Sequence, residues 1–506
     1  MVLHIFRKDW KLLWKAFLVF CFIEMLPALI RFPHGLSAAQ LAFLQIPAVM
    51  IAEAAIAFMV IAIVQQDAIP GVTQDWLIRP IRRRDLFAAK LLFVLLVQAV
   101  IFTSDVFQIC FRGFTVLQAL KPALMHNLYF GVVISLPAMC IASITETMME
   151  AVIVSALVFL LGAAVDITGV FFHGGSEYLH RPSGRSGIEW MTDYFGQTVI
   201  LATAALVLWR QYANRRTTWS RRMIACGAVA FALTLFLPWN FSFGLQEKLS
   251  GNQSDADSIQ LSVGQLTVDH SPTVERSGTE PESTHFLLPI KVSGMPNHTV
   301  LKSDRTMVRI LSKDGKQLYR TETDPWVWES GTPTTPQGFF VPAKVAQQLR
   351  DKTFTVALEY SLTMLANKKR EEISAFNGTL LSDDIGHCST ASGRSGFAII
   401  LRCQQPGNGS ECLHTFLQNE DGSKRVDSLP GWCTPDYSPG LERVNKDPIS
   451  NFGMTYFLRD PFSGTVFPSD EASLRHSSIV IDTFTPFSHF HRTEQIDVPA
   501  PIHDLL

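Results

Sequence analysis

The stretch Leu86-Phe-Ala-Ala-Lys-Leu-Leu-Phe-Val-Leu-Leu-Val-Gln-Ala-Val-Ile-Phe-Thr-Ser-Asp-Val-Phe107 decides the class of fold. A helix that crosses ~30 Å of hydrocarbon needs ~20 mostly apolar residues, because lipid offers no hydrogen-bond partner to a bare backbone N–H or C=O. This run meets that requirement and lacks the polar face that a helix on a soluble core would show. Working outward, six further runs read the same way: Leu12 to Ile30, Leu41 to Val64, Ala123 to Ile144, Ala151 to Phe172, Met191 to Trp209 and Met223 to Leu245. Beyond Leu245 the long apolar runs stop. The expected fold class is an α-helical polytopic membrane domain of about seven spans (1–245), then a linker (246–257) and a mainly-β, sandwich-like soluble domain (258–506).

Composition agrees with that division. Of 506 residues only 17% are charged while 47% are hydrophobic, and the mean hydropathy is +0.19. Up to Leu245 the chain holds 19 Lys and Arg against 13 Asp and Glu; after it, 24 against 32. A basic apolar half thus precedes an acidic one, and the overall charge of −2 excludes a basic nucleic-acid binder. Cytoplasmic loops carry an excess of Lys and Arg. With the N-terminus inside, the inner segments hold fourteen, including Arg79, Arg82, Arg83, Arg84 and Lys90, and the outer loops five. The expected location is a bacterial-type inner membrane, multi-pass, with the C-terminal domain extracytoplasmic.

Before the first span, Val2 to Lys15 segregates on a helical wheel. Arg7, Lys8, Lys11 and Lys15 share one sector, and Ile5, Phe6, Trp10, Leu13 and Trp14 lie opposite. This predicts an interfacial helix on membrane lipid. The second inner segment, 65–85, contains Asp75, Trp76, Leu77, Ile78, Arg79, Pro80, Ile81, Arg82, Arg83, Arg84 and Asp85. Pro70-Gly71 ends the preceding helix and Pro80 suits the start of a new one. An apolar knob at Trp76 to Ile78, rimmed by arginines, is chemistry for docking into a groove of a partner, although the arginines would equally serve topology alone.

That run, with Ala88-Ala89-Lys90-Leu91-Leu92 after it, resembles the loop between spans two and three of permease subunits of type-two ABC exporters. The basic amphipathic start is similar to their N-terminal interfacial helix. The resemblance covers about the first 240 residues and implies a coupling helix that contacts a separate cytosolic ATPase, with a second permease copy or homologue alongside. A seventh span and a soluble tail of some 260 residues depart from the family's six-span pattern. No G-x-x-x-x-G-K-[ST] stretch is present, so ATP and magnesium are expected in the partner, with no cofactor and no enzymatic site in this chain. The competing function is a membrane-anchored receptor or scaffold with a sensing β domain.

Ionisable residues within spans are costly, and Glu24, Glu53, Asp105 and Asp166 are the intramembrane candidates for substrate contact or interhelical bonding. In the soluble half, short alternating runs at Ser258 to Val268, Phe286 to Val292, Thr306 to Leu311, Thr353 to Tyr360, Phe397 to Leu401 and Ser478 to Phe484 predict strands, and Ala343 to Arg350 a helix. Cys388, Cys403, Cys412 and Cys433 cluster there as disulfide candidates, with three pairings open. No C-x-x-C, H-E-x-x-H or G-x-S-x-G is found. His489 and His491 would share one strand face, but without a third ligand no metal site is assigned.

Overall fold

The structure is a computed structural model. It describes residues 1–30, 38–67, 82–157, 189–214, 217–234, 237–249, 254–269, 283–323, 326–329, 334–382, 385–392, 398–407, 412–420, 422, 424–427, 449–457 and 476–499.

The N-terminal region is helical. Its elements are α1 (Val2–Ile30), α2 (Ala38–Gln65), α3 (Arg83–Phe111), α4 (Val116–Phe130), a π-helical turn (Gly131–Ser135), α5 (Leu136–Ile144), α6 (Met148–Leu157), α7 (Glu189–Asn214), α8 (Thr217–Thr234) and α9 (Trp239–Leu249). The turn between α3 and α4 uses Gly113 at φ +89°, a conformation open to glycine. Thr115 and Gln118 then form a reciprocal capping box that starts α4.

Three helices are long and apolar enough to cross a membrane: Pro47–Gln65, Arg83–Phe111 and Val116–Ile144. Between 44 and 50% of their apolar windows is buried inside the protein. Leu91, Leu92, Leu95, Leu117, Leu124 and Leu128 stay exposed, a surface that lipid would cover. The expected count of about seven is not supported: the described residues contain three such helices, or four if α8 and α9 are one broken span. Pro238 explains the break, since it disfavours helix in the residue before it, and α8 and α9 meet at 82°. Of the expected span Ala151 to Phe172, residues 158–172 lie outside the described residues. α1 is continuous through Lys15, so no break separates an interfacial helix from a first span.

α9 continues to Leu249, and α10 (Ser254–Asp257) follows. Both pack on the β region, with Ala256 in its core, so most of the expected linker is structured. The strands are β1 (Gln260–Val263), β2 (Thr267–Asp269), β3 (Ser283–Ser293), β4 (Thr299–Ser312), β5 (Gln317–Thr323), β6 (Val327–Glu329), β7 (Thr335–Pro342), β8 (Phe354–Ser374), β9 (Thr379–Ser382), β10 (Gly386–Ser392), β11 (Ala398–Pro406), β12 (Cys412–Gln418), β13 (Lys424–Asp427), β14 (Ile449–Phe457) and β15 (Ser478–Val498). The expected helix is α11 (Ala343–Leu349).

A seven-stranded sheet of order β13-β12-β15-β8-β4-β5, with β6 also on β4, runs the length of this region. β8 and β15, 21 residues each, pair antiparallel from end to end. Over one half, Phe354, Val356, Leu358, Tyr360, Leu362 and Met364 alternate inward against β3 and β7 through Phe286, Ile290 and Phe339. Over the other half, Ile373, Ile479 and Ile481 pack against Ile399, Leu401 and Tyr456 of the β9–β10–β11–β14 sheet. Two sandwich cores therefore share one sheet. The register shifts at Ser303/Arg305, Thr483/Phe484 and Pro486/Ser488 interrupt the shared ladders, the last of them skipping Phe487 next to Pro486, which cannot donate to a ladder.

Candidate functional site

The buried face of α3 contains Lys90, Gln98, Ser104 and Asp105 among apolar residues. Each is held by a different neighbour, and together they form a polar stripe through the helical region.

At the Lys90 end is an ion cluster. Lys90 is 1% exposed, and its Nζ lies 2.8 Å from Asp9 Oδ2 and 2.7 Å from Asp67 Oδ2. Lys8 Nζ stands 2.6 Å from the other oxygen of Asp67 and 3.6 Å from Asp9. Two cations and two carboxylates balance, which is the condition for burying charge. Burial alone would push the Asp67 carboxyl up, but Lys90 and Lys8 more than offset it and hold the group below the ordinary carboxylate range.

Beside this cluster the end of α5 would leave its last carbonyls unsatisfied. Three helices supply donors. Gln65 Nε2 donates to the carbonyls of Ala142 at 2.9 Å and Thr145 at 3.1 Å, Gln211 Nε2 to Ser143 at 2.9 Å, and Arg221 Nη2 to Ile144 at 3.1 Å. Arg83 Nη1 donates to the carbonyl of Ala213 at 2.6 Å, near the end of α7. A cleft of 490 Å³ opens here, lined by Leu13, Phe58, Gln65, Glu146 and Met148 among others.

Midway, Gln98 Nε2 donates to Ser135 Oγ at 2.7 Å, against the π-helical turn. Such turns inside α-helices are frequent at functional sites. At the far end, Asp105 Oδ2 and His126 Nδ1 are 2.6 Å apart, and Ser104 Oγ donates to the backbone carbonyl of Glu24 at 3.2 Å. Glu24 is 7% exposed and lies within electrostatic reach of Asp105 and Glu53. Three of the four intramembrane carboxyls named from the sequence are thus brought into one neighbourhood. Asp166 lies outside the described residues.

Of the expected docking loop, Asp75, Trp76, Leu77, Arg79 and Pro80 lie outside the described residues. Arg82 precedes α3 in extended conformation, Arg83 and Arg84 open the helix, and Asp85 sits in its first turn, where a carboxylate suits the helix dipole. Arg82, Arg83 and Arg84 are exposed. Lys90, counted from the sequence among the inner positive charges, is instead buried and neutralised. Asp9 and Asp67 escaped the sequence reading. A lysine within an apolar run needs a carboxylate from elsewhere, and that was the available signal.

In the β region, Cys388 and Cys403 form a disulfide between directly opposed residues of β10 and β11, their Cα atoms 4.0 Å apart. Cys412 opens β12, and Cys433 lies outside the described residues. Cys21, Cys110, Cys140 and Cys226 are free thiols. His489 and His491 do face one side, toward Phe243 of α9. Gln246 Nε2 lies 3.0 Å from His489 Nδ1, and Trp239 Nε1 donates to Ser361 Oγ at 3.1 Å. Among the described residues no group of three or more metal-ligating side chains forms. A second contact joins the regions: Phe114 stacks on His387 at 4.2 Å, where a Cβ on Gly113 would meet the imidazole at 2.9 Å.

No family model matches the chain, and no curated protein matches it. A crystal structure of red sea bream transglutaminase is similar over 47% of this chain and 31% of that one, at 8% identity and a TM-score of 0.14, a likeness that carries no argument.

Proposed function

We propose that the chain is the membrane-embedded permease subunit of an ATP-driven exporter, in which the 65–85 segment docks a separate cytosolic ATPase. One observation supports this reading above the others. Both flanks of that segment are tied into the bundle, through Gln65 and Asp67 on one side and Arg83 and Lys90 on the other. A push on the segment would therefore reach α1, α3, α5 and α7 together. Coupling of this kind requires that the partner bind two arrangements of the bundle with different affinity. The N-terminus inside and the β region outside belong to the proposal, and the Cys388–Cys403 bond supports an oxidising compartment for the latter.

The test replaces Arg82 and Arg84 with Glu and leaves Arg83, which bonds to Ala213, in place. In a pull-down from mild detergent the double variant should lose a co-purifying ATPase while its level in the membrane stays unchanged. Retention of the ATPase would reject the docking role. A receptor or scaffold is the second reading, favoured by the close packing of α9 on β15; it predicts no ATPase in the wild-type pull-down.

A further inference from the structure

α1 stands alongside the membrane-length helices rather than across their ends. Asp9 meets Lys90 at 2.8 Å and the backbone carbonyl of Glu24 meets Ser104 at 3.2 Å, so α1 follows α3 over about 22 Å of rise. Leu13, Phe17 and Phe20 bury one side of it against Ile56 and Met59 of α2 and Phe93 and Val97 of α3. The side turned outward changes character within one turn. At ~100° per residue, Arg7, Lys11 and Lys15 fall within about 80° of one another; Leu18 and Phe22 lie inside the same sector and Val19 about 40° beyond its edge. All six are exposed, Leu18, Val19 and Phe22 at 57, 59 and 65%. One continuous face is therefore basic at the N-terminal end and wholly apolar just beyond.

The carboxylates near this row are already engaged. Asp9 is buried against Lys90, and Asp67 is held by Lys90 and Lys8. Arg7, Lys11 and Lys15 have no carboxylate partner among the described residues; Lys15 Nζ lies over the Trp14 ring at 5.8 Å. Trp10 and Trp14, 38 and 43% exposed, flank the row, as indole rings do between headgroups and hydrocarbon. An acidic soluble protein would match the cations but leave Leu18, Val19 and Phe22 uncovered. A zwitterionic lipid would cover those three but bring its own ammonium against three cations. A molecule with net negative charge at one end and hydrocarbon at the other complements both halves. We infer that this face of α1 binds an anionic phospholipid of the adjoining leaflet, its phosphate on Arg7, Lys11 and Lys15 and its acyl chains along Leu18, Val19 and Phe22. Arg suits phosphate through paired N–H donors, and the methylene stems of both residue types can lie on apolar surface while their charges reach the headgroup. This narrows the contact with membrane lipid expected from the sequence to a lipid of net negative charge. It requires that α1 lie along membrane-crossing helices, and neither an exporter function nor a particular side for the N-terminus.

The experiment localises the lipid. A phosphatidylglycerol with a diazirine in its acyl chain is titrated into the full chain in mild detergent, without any ATPase, and photolysed; adducts on peptides covering Leu18 to Phe22 are followed by mass spectrometry. Saturable labelling is expected, with half-saturation at least about tenfold lower than for the phosphatidylcholine of identical chains. The triple variant Arg7→Gln, Lys11→Gln, Lys15→Gln should raise the half-saturation for phosphatidylglycerol about tenfold or more, since each cation near an anionic lipid surface contributes about fivefold. Arg82→Gln with Arg84→Gln, exposed cations of α3, should leave it unchanged. Excess glycerol 3-phosphate, a phosphate without chains, should not compete. Equal half-saturation for the two lipids, an unchanged value in the triple variant, or competition by glycerol 3-phosphate or by soluble polyglutamate overturns the site. Should the triple variant fail to purify as a monodisperse species, the comparison of the two lipids on the wild-type protein decides it. Because no ATPase is present, failure of the pull-down described above leaves this result untouched.

Discussion

His489 lies 2% exposed between Thr363, whose hydroxyl is 2.7 Å from its Nδ1, and Gln246 of α9. Thr363 in turn bonds to Asp304, and Lys302 stands 3.2 Å from that carboxylate. Burial pushes the imidazole down from 6.5 to about 4; Asp304 pulls it upward and Lys302 downward. Between those values the unfolded chain takes up a proton that the native site refuses. The contribution is complete above about pH 6.5, declines as the pH falls toward about 4 and is flat below, with a total of about 3 kcal/mol. Denaturant melts from pH 7 to pH 4 should show this slope for the wild type and a flatter one for His489→Gln. Two histidines spaced by one residue placed this pair on one strand face correctly. Nothing in the spacing says that this face is covered by a helix 243 residues earlier.

Among the elements, α3 carries the argument. The α3 helix is long and apolar enough to cross a membrane, and four of its polar residues, Lys90, Gln98, Ser104 and Asp105, lie on the buried side. Hydropathy alone tells that the run is apolar; it does not tell which lone polar residue has a partner, because Asp9 and His126 come from other helices. Removing one member of a buried charge cluster leaves the others uncompensated and costs about 3–5 kcal/mol. Lys90→Met should therefore lower thermal stability in detergent markedly, and Lys90→Met combined with Asp67→Asn should recover part of the loss. No recovery in the double variant would show that the charges act independently. Because Asp67 is held below the ordinary range, its share of the stability is present at neutral pH and disappears as acid titrates the folded carboxylate.

For the whole molecule, the decisive question is the side of the membrane on which the β region stands. Protease added to sealed, right-side-out spheroplasts should remove the chain beyond about residue 250 and leave the helical part protected; an intact β region would place it inside. Hydropathy and alternation already separated an apolar helical half from a mainly-β half, because both periods are local and survive without knowledge of any neighbour. They also placed β3, β4, β11 and α11 close to where they form. The described residues do not support the expected number of spans, since a run such as Met223 to Leu245 scores as apolar whether or not Pro238 turns it through 82° onto a sheet. The disulfide pairing, the ion cluster, the shared strands of the two cores and the gathering of Glu24 with Asp105 and His126 were decided by the fold. Each joins residues whose separation along the chain carries no information about their distance, and only packing brings them within reach of a hydrogen bond or a charge.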